Sequence, residues 1–168
     1  MRPNIYLHEH PQFEGLIRLL ASEKNLPPAL IEKDYWVMHC LYGLAKAGLT
    51  FELKGGTSLS KGYNLLGRFS EDIDIHIDPS CAPFKVASNP KQVKKTAHLN
   101  SRKAFYDGLA SELAIDGITE IIRDTEFDDG NERFTHQQIR SAAGYGHSSR
   151  IYGGGLAVLA ANCGLGLV

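Results

Sequence analysis

Apolar side chains recur every three or four positions in three stretches of the chain, which is the period of an amphipathic helix. The first stretch, Pro11 to Glu23, predicts a helix that ends before a pair of prolines. The second, Ala29 to Leu49, predicts a longer helix, with Gly48 near its end as a stop signal. The third, Lys91 to Leu113, predicts another helix later in the chain.

Strands are predicted where the pattern changes to short apolar runs or to strict alternation. Phe51 to Leu53 fits a short strand that enters the glycine pair Gly55-Gly56, after which Thr57 to Leu66 fits a helix. Asp72 to Asp78 alternates at every position, so its isoleucines share one face and its polar residues the other. The isoleucines are Ile73, Ile75 and Ile77, and the polar residues are Asp72, Asp74 and His76. Ile118 to Arg123 fits one more strand.

The last 35 residues differ from the rest of the chain. Residues 134–168 contain no Asp, Glu or Lys and seven of the 17 glycines, and they show neither a helical period nor an alternating strand. We therefore expect one domain over residues 1–133 and a distinct segment over 134–168. Three explanations fit it: a buried glycine-rich packing segment, a disordered tail, or an out-of-frame end produced by a frameshift in the gene. The abruptness of the change favours the last.

Composition narrows the class of protein. With 43% hydrophobic and 22% charged residues, the chain reads as an ordinary globular domain, and a net charge of −1 gives no global field that would attract nucleic acid. An RNA contact would need a local basic patch, for which Lys85 to Lys103 is the candidate; a solvated helix face explains that run equally well. Three separated cysteines form no disulfide framework, and Cys40 fits the core. Without an export signal or a membrane span, we expect a cytoplasmic protein.

The glycine pair predicts a phosphate site. Glycines let backbone amides approach an anion, and a helix N-terminus directly after them adds oriented N–H groups and a favourable dipole. Thr57 and Ser58 are positioned to donate to phosphate oxygens or to cap the helix. Lys61 and Arg68 are candidates to balance phosphate charge, although Lys61 also fits an ordinary solvent-facing lysine.

Asp72 and Asp74 predict a metal site beside that turn. Residues i and i+2 of a strand share a face, and two nearby carboxylates repel each other unless a cation lies between them. Mg²⁺, or Mn²⁺, bound by two carboxylates and by phosphate oxygens would satisfy both groups. Two acidic residues on an exposed strand are the simpler explanation when this pair is taken alone.

The combined pattern GGTSLSK followed by RFSEDIDI resembles the AbiEii/AbiGii-type nucleotidyltransferase toxins, a branch of the polymerase-β-like nucleotidyltransferase superfamily. The run from Glu32 to Trp36 also looks like a helix motif of this family. The resemblance implies an α/β fold with a mixed sheet flanked by helices. It implies that Gly55, Gly56, Thr57 and Ser58 hold the triphosphate and that Asp72 and Asp74 bind metal.

The resemblance further implies nucleotide transfer from an NTP to a cellular acceptor such as tRNA, in a toxin–antitoxin or abortive-infection system with a cognate antitoxin. Relatives carry a third acidic residue on a strand after the Asp-x-Asp strand. Here that strand should fall at or beyond Phe134, where the chain has no acidic residue. A truncated, non-catalytic NTP-binding or interaction module is therefore the alternative.

Overall fold

The computed structural model describes residues 5–62, 72–78, 96–118, 120–123, 137–142 and 156–163. Within these residues, a short 3₁₀ turn at Leu7–Glu9 is followed by four helices and five strands. The helices are α1 (Phe13–Lys24), α2 (Pro28–Lys46), α3 (Gly55–Thr57, continued by a π-helical turn at Ser58–Gly62) and α4 (Thr96–Glu112). The strands are β1 (Phe51–Leu53), β2 (Asp72–Ile77), β3 (Glu120–Arg123), β4 (Gln137–Ala142) and β5 (Leu156–Cys163).

The five strands form one mixed sheet in the order β1-β2-β5-β4-β3. β2 runs antiparallel to β1 and parallel to β5, whereas β4 is antiparallel to both of its neighbours, β5 and β3. The parallel pair requires a crossover connection between β2 and β5. This arrangement of a mixed sheet with helices confirms the predicted α/β class.

One face of β2 supplies the centre of the core. Ile73, Ile75 and Ile77 are fully buried, as the alternation predicted. They pack with Val37, Cys40, Leu41 and Leu44 of α2, Phe105 and Leu109 of α4, and Leu49 and Ile115 of the connecting segments. A smaller cluster joins α1 to α2 through Phe13, Ile17, Ala21 and Ile31. The burial of Cys40 confirms its predicted place in the core.

The N-terminal turn is held against α2 and the 113–118 loop by rings and hydrogen bonds. The His8 ring nitrogen lies 2.7 Å from the Tyr35 hydroxyl, and the rings of His8 and His39 have centroids 4.7 Å apart. The Tyr6 hydroxyl donates to Asp116 over 2.8 Å, and Lys46 donates to the same carboxylate oxygen over 2.6 Å. A cavity of about 470 Å³ remains beside this turn, lined partly by Tyr6, Tyr35, His39 and Tyr42.

The segment 134–168 contributes two strands that its sequence pattern did not predict. β4 and β5 lie in it, and β5 occupies the middle of the sheet. The assignment of residues 134–168 to a unit separate from residues 1–133 stays a prediction, and the predicted loop from Pro79 to Pro90 lies outside the described residues.

Candidate functional site

The glycine turn connects β1 to α3 with a sharp change of backbone direction. Lys54 is extended, with φ −120° and ψ 176°, and Gly55 follows at φ +54°, a left-handed value that glycine adopts without steric cost. The Ser58 N–H then donates to the Lys54 carbonyl over 3.1 Å and closes the first turn. The helix therefore begins at Gly55, two residues before the predicted start at Thr57, because Gly55 makes the turn itself.

This early start places both glycines inside the first helical turn. The first N–H groups of a helix have no intrahelical acceptor, so those at Gly55, Gly56 and Thr57 are available for an anion. Ser58 is partly buried, and Lys61 lies in the π-helical turn that follows. Arg68 and the predicted end of this helix at Leu66 lie outside the described residues.

The strand β2 carries the predicted carboxylates beside this turn. α3 lies against β2, so the structure brings the glycine pair and the Asp-x-Asp strand together. Because Ile73 and Ile75 are fully buried on one face, strand alternation assigns positions 72 and 74 to the other face. This juxtaposition of a backbone anion site with two acidic positions is the main feature of the candidate site.

Charged residues that the sequence analysis did not select lie on β1 and at its end. The Lys54 ammonium group donates to the Glu52 carboxylate over 2.7 Å, which holds the pKa of Glu52 below its usual range, and His76 has a smaller effect in the same direction. Glu52 is the register partner of His76. The sequence does contain signals that could have indicated Lys54 and His76. Lys54 directly precedes the glycine pair, and His76 continues the alternation of Asp72 and Asp74.

The strands on the other side of β2 bring no acidic residue to these positions. On β5, Val158 is the register partner of Asp72, and Ala160 is that of Asp74. Neither β4 nor β5 contains an Asp or Glu. Glu120 lies on β3, at the opposite edge from β1 and three strand positions from β2, or about 14 Å at the usual spacing between strands.

Three further features of the described residues bear on partners. Among the described side chains, which include neither that of Asp72 nor that of Asp74, no group of three His, Cys, Asp or Glu residues could hold a metal ion. Lys103 of the predicted basic run is exposed on α4, whereas positions 85–95 lie outside the described part. The described helices include none with the length and apolar character needed to cross a membrane.

Comparison with known proteins gives one match. A family model described as "Nucleotidyl transferase AbiEii toxin, Type IV TA system" matches residues 39–152, more than half of the 168-residue chain. The match includes the glycine turn, the Asp-x-Asp strand and β4, and it begins after the Glu32–Trp36 motif on α2. No curated protein and no solved structure matches.

Proposed function

Because this chain belongs to the AbiEii nucleotidyl transferase toxin family of type IV toxin–antitoxin systems, we propose that it transfers a nucleotide from an NTP to a cellular RNA acceptor, with tRNA as the leading class. The observation that supports this proposal is the contact of α3, which begins at the glycine pair, with the strand that carries Asp72 and Asp74. A cognate antitoxin and a cytoplasmic location belong to the same proposal.

The triphosphate would lie at the start of α3. Backbone N–H groups of Gly55 and Gly56 would bind phosphate oxygens, because the start of a helix presents N–H groups to an anion. The left-handed backbone of Gly55 explains why this position is a glycine. Thr57 and Ser58 would donate from their hydroxyls, and Lys61 and Arg68 would balance the negative charge. Lys54 is already paired with Glu52 and would have to exchange that partner to reach a phosphate.

The two aspartates would hold the divalent cation, Mg²⁺ or Mn²⁺. The donor set fits such an ion, since two carboxylates on one strand face repel each other without one. The bound cation would supply positive charge to the phosphates during in-line displacement. The acceptor hydroxyl loses its proton and forms a bond to the α-phosphorus, while the bond from that phosphorus to the bridging oxygen of the β-phosphate breaks and pyrophosphate leaves.

The register of β5 favours a second candidate function. Val158 and Ala160 occupy the positions beside Asp72 and Asp74, where a third carboxylate would complete a two-metal site. A module that binds an NTP without turning it over would need only the glycine turn and the aspartate pair. Saturable NTP binding in the absence of any transfer is the result that this second function predicts.

The proposed transfer is tested with each labelled NTP, Mg²⁺ and total tRNA. We expect label in the RNA fraction with at least one NTP. The double variant Asp72→Asn/Asp74→Asn should lose at least about a hundredfold in rate, since it removes the charges that hold the cation. Glu112→Gln, an exposed position at the end of α4, is the matched control and should leave the rate unchanged. Transfer that survives in the double variant would contradict the assigned site.

A further inference from the structure

His76 occupies the third alternate position of β2, after Asp72 and Asp74. The isoleucines on either side of it, Ile75 and Ile77, are fully buried in the core. Strand alternation therefore assigns His76 to the same face as the two aspartates, and neighbouring residues of that face are separated by about 6.7 Å along the strand. This spacing allows the side chains at 74 and 76 to converge on one ion.

The His76 ring has a buried nitrogen without a partner. Its Nε2 atom is shielded from solvent and has no hydrogen-bond partner within the described part of the chain. Buried polar atoms in native proteins nearly always have a partner, and an exception calls for an explanation such as a bound ion or a catalytic role. A nitrogen lone pair directed at a cation would provide that partner.

Within the described residues, neither register partner of His76 gives this nitrogen a hydrogen bond. Its register partner on β1 is Glu52, whose carboxylate is paired with Lys54, and its register partner on β5 is Asn162. β5 offers no carboxylate to the Asp-x-Asp positions. Histidine is a residue type that commonly binds metal ions, and His76 is the next residue after Asp74 on the same face of β2.

We propose that His76 is a ligand of the divalent cation together with Asp74, so that this site binds Mn²⁺ in preference to Mg²⁺. The proposal rests on the proposed function for the existence of the cation site. Its chemical basis is that Mg²⁺ takes oxygen ligands and water almost exclusively, whereas an imidazole nitrogen is a good ligand for first-row transition ions. A carboxylate ligating beside an imidazole is a common donor set for such ions.

The test uses MnCl₂ alone with the full chain, without NTP, and follows bound Mn²⁺ by electron paramagnetic resonance. Wild type should bind Mn²⁺ at least about tenfold more tightly than His76→Gln. Removing even a group that only supports a metal ligand typically lowers metal affinity by about that factor. His76→Asp supplies an oxygen in place of the nitrogen, and we expect Mg²⁺ to displace Mn²⁺ from it more readily than from wild type. His10→Gln, at an exposed histidine, is the matched control and should bind as wild type does.

A direct measurement on wild type keeps the proposal falsifiable if the variants do not fold. Pulsed electron paramagnetic resonance of the Mn²⁺ complex should show coupling to a ¹⁴N nucleus of an imidazole. Absence of that coupling, equal Mn²⁺ affinity of wild type and folded His76→Gln, or tighter binding of Mg²⁺ than of Mn²⁺ would each overturn the proposal. Mn²⁺ binding that survives in Asp72→Asn/Asp74→Asn would instead contradict the cation site of the proposed function.

Discussion

Close packing at single glycines shows how little room the core of this protein leaves. Gly43, on α2, faces the side chain of Ile115 so closely that an added Cβ would lie 2.7 Å from the Ile115 Cγ2 atom. Real Cβ atoms essentially never approach a neighbour to that distance, so the Ile115 side chain, α2 or the 113–118 loop would have to move. Gly15, on α1, has no atom within 4 Å of the same added group. Of these two helical glycines, only Gly43 therefore has a packing reason to be glycine.

We expect Gly43→Ala to lower the free energy of unfolding by about 1–3 kcal/mol, because the methyl group overpacks the contact with Ile115. Gly15→Ala is the matched control and should raise it by up to about 1 kcal/mol, since alanine has the higher helix propensity. Urea denaturation of wild type and both variants measures the two changes. A stabilised Gly43→Ala protein would contradict the packing described for α2.

The elements with a strong local pattern are the ones that the sequence predicted. α1, α2 and β2 have apolar residues at a clear period, and the structure gives bounds within a few residues of those predicted. β5 was missed because Leu156–Cys163 is apolar at every position except Asn162, as strands in the middle of a sheet commonly are, and such a run carries no period. β4 was missed because its mostly polar sequence becomes a strand only through pairing with distant β3 and β5.

The candidate site divides in the same way. The glycine pair and the aspartate pair are local motifs, and the sequence was sufficient to select them. The register of Glu52 with His76 depends on which strand lies beside β2. Likewise, only the strand order separates Glu120 from Asp72 and Asp74. Contacts between distant parts of the chain are not encoded in local periodicity, so these features required the structure.

The loop after α4 is joined to the N-terminal turn at Gly117. This residue has φ +79°, and an added Cβ would lie 2.5 Å from Nε2 of His8. Gly48, after α2, has a similar φ of +85° but no atom within 4 Å of an added Cβ. Comparing substitutions at the two glycines therefore distinguishes two effects. Both positions have backbone strain, but only Gly117 contacts His8.

We expect Gly48→Ala to cost about 1 kcal/mol of unfolding free energy through its left-handed backbone. Gly117→Ala should cost more, because it also displaces His8 from its place beside Tyr35 and His39. Thermal unfolding of the two variants gives the difference, and limited proteolysis should detect the release of the N-terminal turn only in Gly117→Ala. Equal losses in both variants would show that His8 does not constrain this loop.

Across the whole molecule, stability should depend on pH through the N-terminal turn. Burial lowers the pKa of His8 below its usual value of 6.5, and the neighbouring His39 lowers it further, whereas Glu9 and Asp116 act weakly in the opposite direction. The unfolded chain therefore binds this proton more readily than the folded chain does. It follows that the contribution of neutral His8 to the free energy of unfolding is fully present above about pH 6.5. This contribution is lost as the pH falls below that value.

We expect the melting temperature of wild type to fall between pH 7.5 and pH 5.5, and to fall less in His8→Gln, which has no proton to gain at this position. The exposed His10 provides the control, and His10→Gln should follow wild type. Differential scanning calorimetry at three pH values measures the slopes. A His8→Gln slope equal to that of wild type would assign the pH dependence to other groups.

The central position of β5 has a consequence for the order of folding. β5 joins β2 to β4, and its pairing with β2 links Asp72 to Val158, far along the chain. The antiparallel pairs β1-β2 and β3-β4 can form early from nearby segments, but they cannot become one sheet until β5 has been synthesised and inserted between them. Closing so long a loop is entropically costly and slow. During translation, the strand that carries Asp72 and Asp74 therefore remains a sheet edge until residues 156–163 have left the ribosome.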